Sequence, residues 1–385
     1  MAVVKAGAGQ PATRTVTLMP GDPAPPFVQR SHANPRYTFA SAAGRYLVLC
    51  FFGSAADAQG RAAIGAAMDR PELFDDIHAS FFGVSVDPSD ETQARVADRY
   101  PGYRFLWDAD LQVSKLYGVV PTETLAGRGG LSMRRMWLVL DPTLRILHVE
   151  PFRPDGGDAT AVLDYLAQLP PPERFAGVEL QAPIILLPNV FEPAFCRKLI
   201  EIYQARGGEE SGFMREENGK TVLVHDHGHK RRRDVEVTDR ELIGALQARI
   251  LRRVVPEIEK VHQFQVTRME RYLVACYSAE EGGHFRAHRD NTTRGTAHRR
   301  FAVSINLNSE FEGGEVSFPE YGPRGFKPPP GGAVVFSCSL LHQVSRVTAG
   351  ERYAFLPFLY DDAAAKIREA NIGYLGDGTA QYKAG

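Results

Sequence analysis

Cysteine, net charge and long apolar runs are all scarce in this 385-residue chain, and each shortage removes a class of protein. The four cysteines, Cys50, Cys196, Cys276 and Cys338, are too scattered for a disulfide framework or a zinc ribbon. Three of them sit inside apolar runs, so reduced core thiols are expected. The 45 basic and 46 acidic residues leave a net charge of −1 and no overall positive field, so nucleic acid is not an expected partner. No segment approaches the apolar length of a bilayer span, and Met1 to Asp22 carries no secretory-type apolar stretch. The expectation is a cytoplasmic protein with no membrane partner.

What is present points to two folded units. A hydrophobic share of 44% with 24% charged residues suits a globular chain, and the length exceeds that of one ordinary domain. Residues 46–52, 81–86 and 137–140 are short continuous apolar runs, as expected for strands buried on both faces. Between and after them, Ala62–Met68, Glu91–Tyr100 and Ala159–Leu169 read as helices, with a closing strand at Arg145–Val149. Strands alternating with helices imply an α/β domain over 15–169. Leu169-Pro170-Pro171-Pro172-Glu173 then breaks the chain, because consecutive prolines favour an extended linker, here 170–180.

The pattern changes beyond the prolines. Helices are expected at Glu192–Tyr203 and at Thr238–Val254, the second capped by Asp239. From Phe264, strands at 264–277, 301–307, 314–318, 333–337, 343–347 and 352–359 alternate with Gly, Pro and Asn turns. That order suggests a jelly roll (double-stranded β-helix) with flanking helices over 181–362, followed by a C-terminal extension, 363–385.

The chemistry-bearing residues lie in this second half. His288-Arg289-Asp290 sets an imidazole and a carboxylate two residues apart, so on an extended segment both leave the same face. His342 follows 54 residues later, after the strand AVVFS and the turn CSLL. Two histidines and one carboxylate are the ligand set of a facial triad, which holds Fe(II) with coordination positions left open. Ten residues beyond His342, Arg352 lies on the next apolar strand, where its planar fork suits a bidentate grip on a carboxylate.

The segments LVACYSAEEGGHFRAHRDN, FAVSINLN, EGGEVSFPEYG and PPPGGAVVFSCSLLHQVSRVTAGERYAFLPFLYDD, in that order, resemble the core of prolyl 4-hydroxylase-type 2-oxoglutarate/Fe(II) dioxygenases. The resemblance implies His288, Asp290 and His342 as iron ligands and Arg352 on the distal carboxylate of 2-oxoglutarate. It also implies co-substrate contacts from Tyr277, which a buried core tyrosine would equally fit, and from Asn306. The implied reaction consumes O2 and 2-oxoglutarate, releases succinate and carbon dioxide, and hydroxylates a prolyl, other amino-acid or small-molecule substrate. Desaturation and ring closure share its hydrogen abstraction. L-ascorbate is a cofactor that the resemblance adds. The alternative is a binding protein that senses oxygen or redox state through the same iron site.

His225, His227 and His229 precede four basic residues, Lys230 to Arg233. An exposed polar ribbon accounts for this better than a second metal site, and a basic lid over the cleft would favour an anionic substrate. Residues 15–169 resemble the peroxiredoxin branch of the thioredoxin fold, through TLMPGDPAPPF and YLVLCFFGSAADAQGR. The loop that should carry the peroxidatic cysteine offers Ala58, Gln59 and Gly60. Arg135 matches the family's supporting arginine, and Cys50 falls in mid-strand. A catalytically inactive scaffold is expected, with a homodimer through this domain as one use of it.

Overall fold

The run Tyr46–Gly53 is apolar on both faces and is satisfied only as a central strand; all of it is buried. In this computed structural model, which describes residues 15–127 and 131–376, it anchors the first of two units, Met1–Glu179 and Leu180–Gly385. It pairs in parallel with Ala79–Ser85, which pairs in parallel with Tyr103–Trp107. On its other side Met136–Leu140 and then Ile146–Pro151 run antiparallel. Alternate residues of the central strand serve opposite layers. Tyr46, Val48 and Cys50 meet helices Ala58–Met68 and Gly157–Ala167, while Leu47, Leu49 and Phe51 meet Phe27, Phe39 and Tyr117. This is a thioredoxin-like α/β domain.

The helix expected over Glu91–Tyr100 is not there. A short helix, Pro88–Thr92, stops because Ala94 adopts a left-handed φ of 49° and the Arg95 guanidinium turns back onto Asp87 and Asp90 at 3.0 and 2.9 Å. Residues 170–180 are not extended throughout, since a 3-10 turn occupies Pro172–Arg174 and Phe175 packs on the first unit's core.

The second unit is a jelly roll whose strands alternate between two environments. On Leu273–Ser278, Val274 and Cys276 face the helices Pro193–Arg206 and Arg240–Arg253, whereas Leu273, Ala275 and Tyr277 face the interior. Asp239 caps the second helix, as expected, by accepting the Leu242 amide at 2.7 Å. The larger sheet runs Arg268–Glu270, Phe358–Tyr360, Phe301–Asn306, Ala349–Phe355, Leu273–Ser278, Arg233–Glu236, Glu209–Glu210. The smaller runs Lys230–Arg231, His284–His288, His342–Val344, Val316–Ser317, Gly325–Phe326. A hairpin, Phe213–Glu217 with Lys220–Val224, precedes the Lys230 strand. The region expected as an extension opens with a helix, Asp362–Ala370, whose Arg368 reaches the buried Glu270 at 3.3 Å; residues 377–385 lie outside those described. Among the described residues no helix is long and apolar enough to cross a membrane.

Candidate metal and co-substrate site

Antiparallel pairing places His288 directly opposite His342 at the end of the smaller sheet, after a bulge between Phe285 and His288. A bulge re-aims the residue that follows it. Asp290, just beyond the strand, completes the group: one donor atom from each of the three residues lies within 4.8 Å of the others. The Asp290 carboxylate is 3.6 Å from His288 Nε2 and 3.3 Å from His342 Nε2. Each imidazole bonds through Nδ1 to a backbone carbonyl, Arg286 O at 2.7 Å and Leu340 O at 3.0 Å. A carbonyl only accepts, so Nδ1 carries the proton and Nε2 keeps a lone pair turned toward Asp290. Two neutral imidazole nitrogens and one carboxylate fit Fe(II).

Electrostatics favour that state at His342 and Asp290. Burial, reinforced by His288, lowers the His342 imidazole to about 4. Burial works to raise the Asp290 carboxyl, but the neighbouring His342 and His288 imidazoles and the Arg299 guanidinium outweigh it and hold the group well below the carboxylate range. The His342 ring also lies 4.5 Å from that of Phe336, a member of the inter-sheet core.

Across the interior, strand parity puts Arg352 beside Tyr277, its register partner, with Ser304 and Asn306 on the neighbouring strand. Arg352 is 1% exposed, and its Nε and Nη2 donate to Asn306 Oδ1 at 3.0 Å and Ser304 Oγ at 2.8 Å. Its Nη1 is buried with no hydrogen-bond partner. Leaving such a donor unmet costs about 1–3 kcal/mol, which a ligand's carboxylate would recover. The Asn306 amide is taken up between Arg352 and the Pro328 carbonyl, so it orients the guanidinium. Tyr277 is buried with its ring 5.2 Å from the Arg352 guanidinium and 5.7 Å from that of Arg232.

The segment of histidines and basic residues divides. His225 is exposed, His227 pairs with Glu210 at 2.6 Å, and His229 packs on Phe213, with burial lowering its imidazole to about 4. The three do not gather into a metal site; among the described residues His288, Asp290 and His342 form the one such cluster. Nor is the segment an exposed ribbon throughout. Arg231 and Arg233 point outward, but Lys230 and Arg232 are 4% exposed, because the chain crosses here from the smaller sheet to the larger with alternating side chains. Lys230 Nζ donates to Ser211 Oγ at 2.8 Å and Gly212 O at 2.6 Å, and lies 5.0 Å from the Phe285 ring. That ring stacks on His288 at 3.6 Å. Arg232 grips Asp234 at 2.7 and 2.6 Å and approaches the Tyr277 hydroxyl at 3.4 Å. Alternation within Lys-Arg-Arg-Arg was the signal for these two residues, legible once the segment is known to be a strand.

In the first domain the equivalent of a reactive centre is closed. Asp57 caps helix Ala58–Met68 by accepting the Gly60 amide, and Arg135 clamps the same carboxylate at 3.1 and 2.7 Å while also reaching Gln59. A side chain at Gly60 would meet the Ser54 carbonyl at 2.0 Å. Cys50 is fully buried, and burial pushes its thiol well up. All four cysteines are free and buried.

Comparison with known proteins agrees with both halves. Residues 272–360 match the 2OG-Fe(II) oxygenase superfamily and residues 20–149 the AhpC/TSA family. A PKHD-type hydroxylase of Pseudomonas fluorescens is 35% identical over 91 residues, covering 21% of this chain and 39% of that protein, well under half its length. A Trichoplax adhaerens prolyl hydroxylase, solved with a peptide fragment of the hypoxia-inducible factor oxygen degradation domain, is 18% identical over 49% of this chain and 87% of its own, with a TM-score of 0.40. A peroxidoxin of Mycobacterium tuberculosis is 20% identical over 40% of this chain and 99% of its own, with a TM-score of 0.34.

Proposed function

We propose that this chain, whose second domain belongs to the 2OG-Fe(II) oxygenase superfamily, is a dioxygenase that couples oxidative decarboxylation of 2-oxoglutarate to hydroxylation of an amino-acid-type, peptidyl or small-molecule substrate. The observation that carries the reading is the gathering of three metal donors in a jelly roll that also buries a guanidinium nitrogen, Arg352 Nη1, with no hydrogen-bond partner. Fe(II) held by His288, Asp290 and His342 would supply the redox chemistry with dioxygen. The remaining work falls to side chains. His288 and His342 keep their Nδ1 protons on backbone carbonyls, so their Nε2 lone pairs stay directed at the centre. Arg352, steadied by Asn306 and Ser304, takes the distal carboxylate of 2-oxoglutarate, and Phe336 and Phe318 help exclude water around His342.

The substrate carries an anionic group. Lys230 is a buried amine whose hydrogen-bond partners are neutral, and it lies against Phe285, whose ring stacks on the metal-site residue His288. Burial lowers the Lys230 pKa well below the usual ammonium value, only partly offset by Asp234 and Asp290, and an acidic substrate would supply the further negative charge that keeps it protonated. The first domain adds no peroxidase chemistry, since its arginine is already held by Asp57. The test is succinate release in air with Fe(II) and 2-oxoglutarate, with and without ascorbate. Wild-type protein should produce succinate and Asp290→Ala should fall to the no-enzyme background; equal rates would end the proposal.

A further inference from the structure

The three metal donors come from two segments 54 residues apart, and the strand ladder that joins those segments ends at the His288–His342 pair. Asp290 lies beyond it. Something else must hold the Asp290 loop against the turn that leads into His342, and the side chain between the two ligands shows what it is. By alternation, Arg289 leaves the opposite side from His288 and Asp290. It reaches Glu320, on the 3-10 turn Pro319–Tyr321, with Nη2 to Oε1 at 2.8 Å and Nη1 to Oε2 at 3.2 Å.

The same Glu320 Oε2 accepts the backbone amide of Leu341, the residue before His342, at 2.9 Å. One carboxylate therefore holds both ligand-bearing segments. Its own position is fixed by the strand before it, Val316–Ser317, which pairs with Val344 and Gln343 on the His342 strand. Shorter ties lie alongside: the Asp290 amide donates to Cys338 O at 3.0 Å, Asn291 Nδ2 donates to Ser339 Oγ at 2.8 Å, and Arg289 also donates to Ser339 O. Glu320 is 8% exposed, so these charge-assisted bonds are little weakened by water.

We propose that Glu320, clasped by Arg289 and bonded to the Leu341 amide, is a positioning residue that sets the separation of Asp290 from His342 and so preorganises the metal centre. The inference rests on the reading of His288, Asp290 and His342 as metal ligands. Outer partners of this kind typically change metal affinity by about 10- to 100-fold when removed. An ion pair that served stability alone would instead move the melting temperature and leave affinity where it was.

The experiment titrates full-length, metal-free protein with Co(II), a redox-stable stand-in for Fe(II), following the visible absorption of the bound ion. Melting of the metal-free protein is recorded in parallel. Glu320→Gln keeps the side chain's shape and one acceptor for the Leu341 amide but breaks the clasp. It should raise the Co(II) Kd by about 10- to 100-fold, with the metal-free Tm within about 4 °C of wild type. Arg289→Met should give a similar loss, and the double variant should be no worse than either single one, because all three break one interaction. A wild-type Kd in Glu320→Gln overturns the proposal; if that variant does not fold, a wild-type Kd in Arg289→Met does so. An affinity loss that appears only with a matching collapse in Tm overturns it as well. If Asp290→Ala binds Co(II) as tightly as wild type, the assignment of the metal centre falls, and Glu320's role falls with it.

Discussion

Replacing Arg352 by Gln should separate co-substrate binding from folding. Arg352 Nε and Nη2 are engaged by Asn306 and Ser304, which leaves Nη1 to meet a ligand, together with the second proton of Nη2. Two charge-assisted bonds to a carboxylate at about 1.5–3 kcal/mol each amount to about 3–6 kcal/mol, a loss of about 10²- to 10⁴-fold in affinity for 2-oxoglutarate. Stability should move little or upward. The guanidinium is buried, and burial lowers its pKa from the usual value, so a neutral amide removes an unfavourable burial from the folded state. Arg352→Lys keeps the charge but loses the fork, and an intermediate loss of about 10- to 100-fold is expected. The assay is succinate release against 2-oxoglutarate concentration, with calorimetric binding to metal-loaded protein and a melting curve as controls. An Arg352→Gln enzyme with a KM within about threefold of wild type would refute the reasoning, since less than about 1 kcal/mol would then separate the two.

Two further substitutions probe the buried charged residues beside Arg232. Lys230→Gln should abolish a preference for acidic over carboxamide members of paired amino-acid substrates, about tenfold or more, while leaving the KM for 2-oxoglutarate unchanged. Faster succinate release by wild type with the carboxamide members would contradict the anionic substrate. Asp234 carries a signature in pH. Burial works to raise its carboxyl, but Arg232 and Lys230 outweigh it and bring it to about 2. A carboxyl lowered on folding stabilises above its unfolded value near 4, by about 2 kcal/mol, and that contribution is lost as pH falls toward 2. The stability gap between wild type and Asp234→Asn, followed by denaturant unfolding, should therefore be full above about pH 4 and shrink below it. A gap independent of pH would show that Asp234 is not the group responsible.

The iron-site residues were legible because their placement depends on local parity. His288 and Asp290 sit two apart, and His342 and Arg352 begin or occupy apolar strands whose direction the turns disclose. Residues whose role depends on which strands become neighbours were not legible. Lys230 and Arg232 lie in a run of four cations, which reads as solvated until pairing with Phe285 and Cys276 brings alternate members inside. Glu320 sits in Phe-Pro-Glu-Tyr with nothing nearby to announce a partner 31 residues earlier. Helix Val255–His262 lies outside the expected elements; its Pro256 sits in the first turn, where the missing amide costs nothing. The strand Tyr103–Trp107 was hidden by Arg104, which is buried against Asp76 at 2.7 and 2.9 Å.

Two arginines show how the same side chain reads as closed or open. Arg135 in the first domain meets the Asp57 carboxylate with both terminal nitrogens, and Gln59 takes a further bond, so an incoming anion would first have to displace a charged partner already in place. Arg352 in the second domain is buried more deeply, is held by two neutral oxygens, and retains a terminal nitrogen with no partner. A neutral support fixes the fork without neutralising it, and the unmet donor makes ligand entry favourable. In the peroxiredoxin-like half Arg135 is thus held by a charged partner, while in the jelly-roll half Arg352 keeps a terminal nitrogen for a ligand. Chemistry is accordingly expected from residues 272–360, and introducing a cysteine at Gly60 should give no thiol-peroxidase turnover, since Asp57 occupies Arg135 and the Ser54 carbonyl fills the space at Gly60.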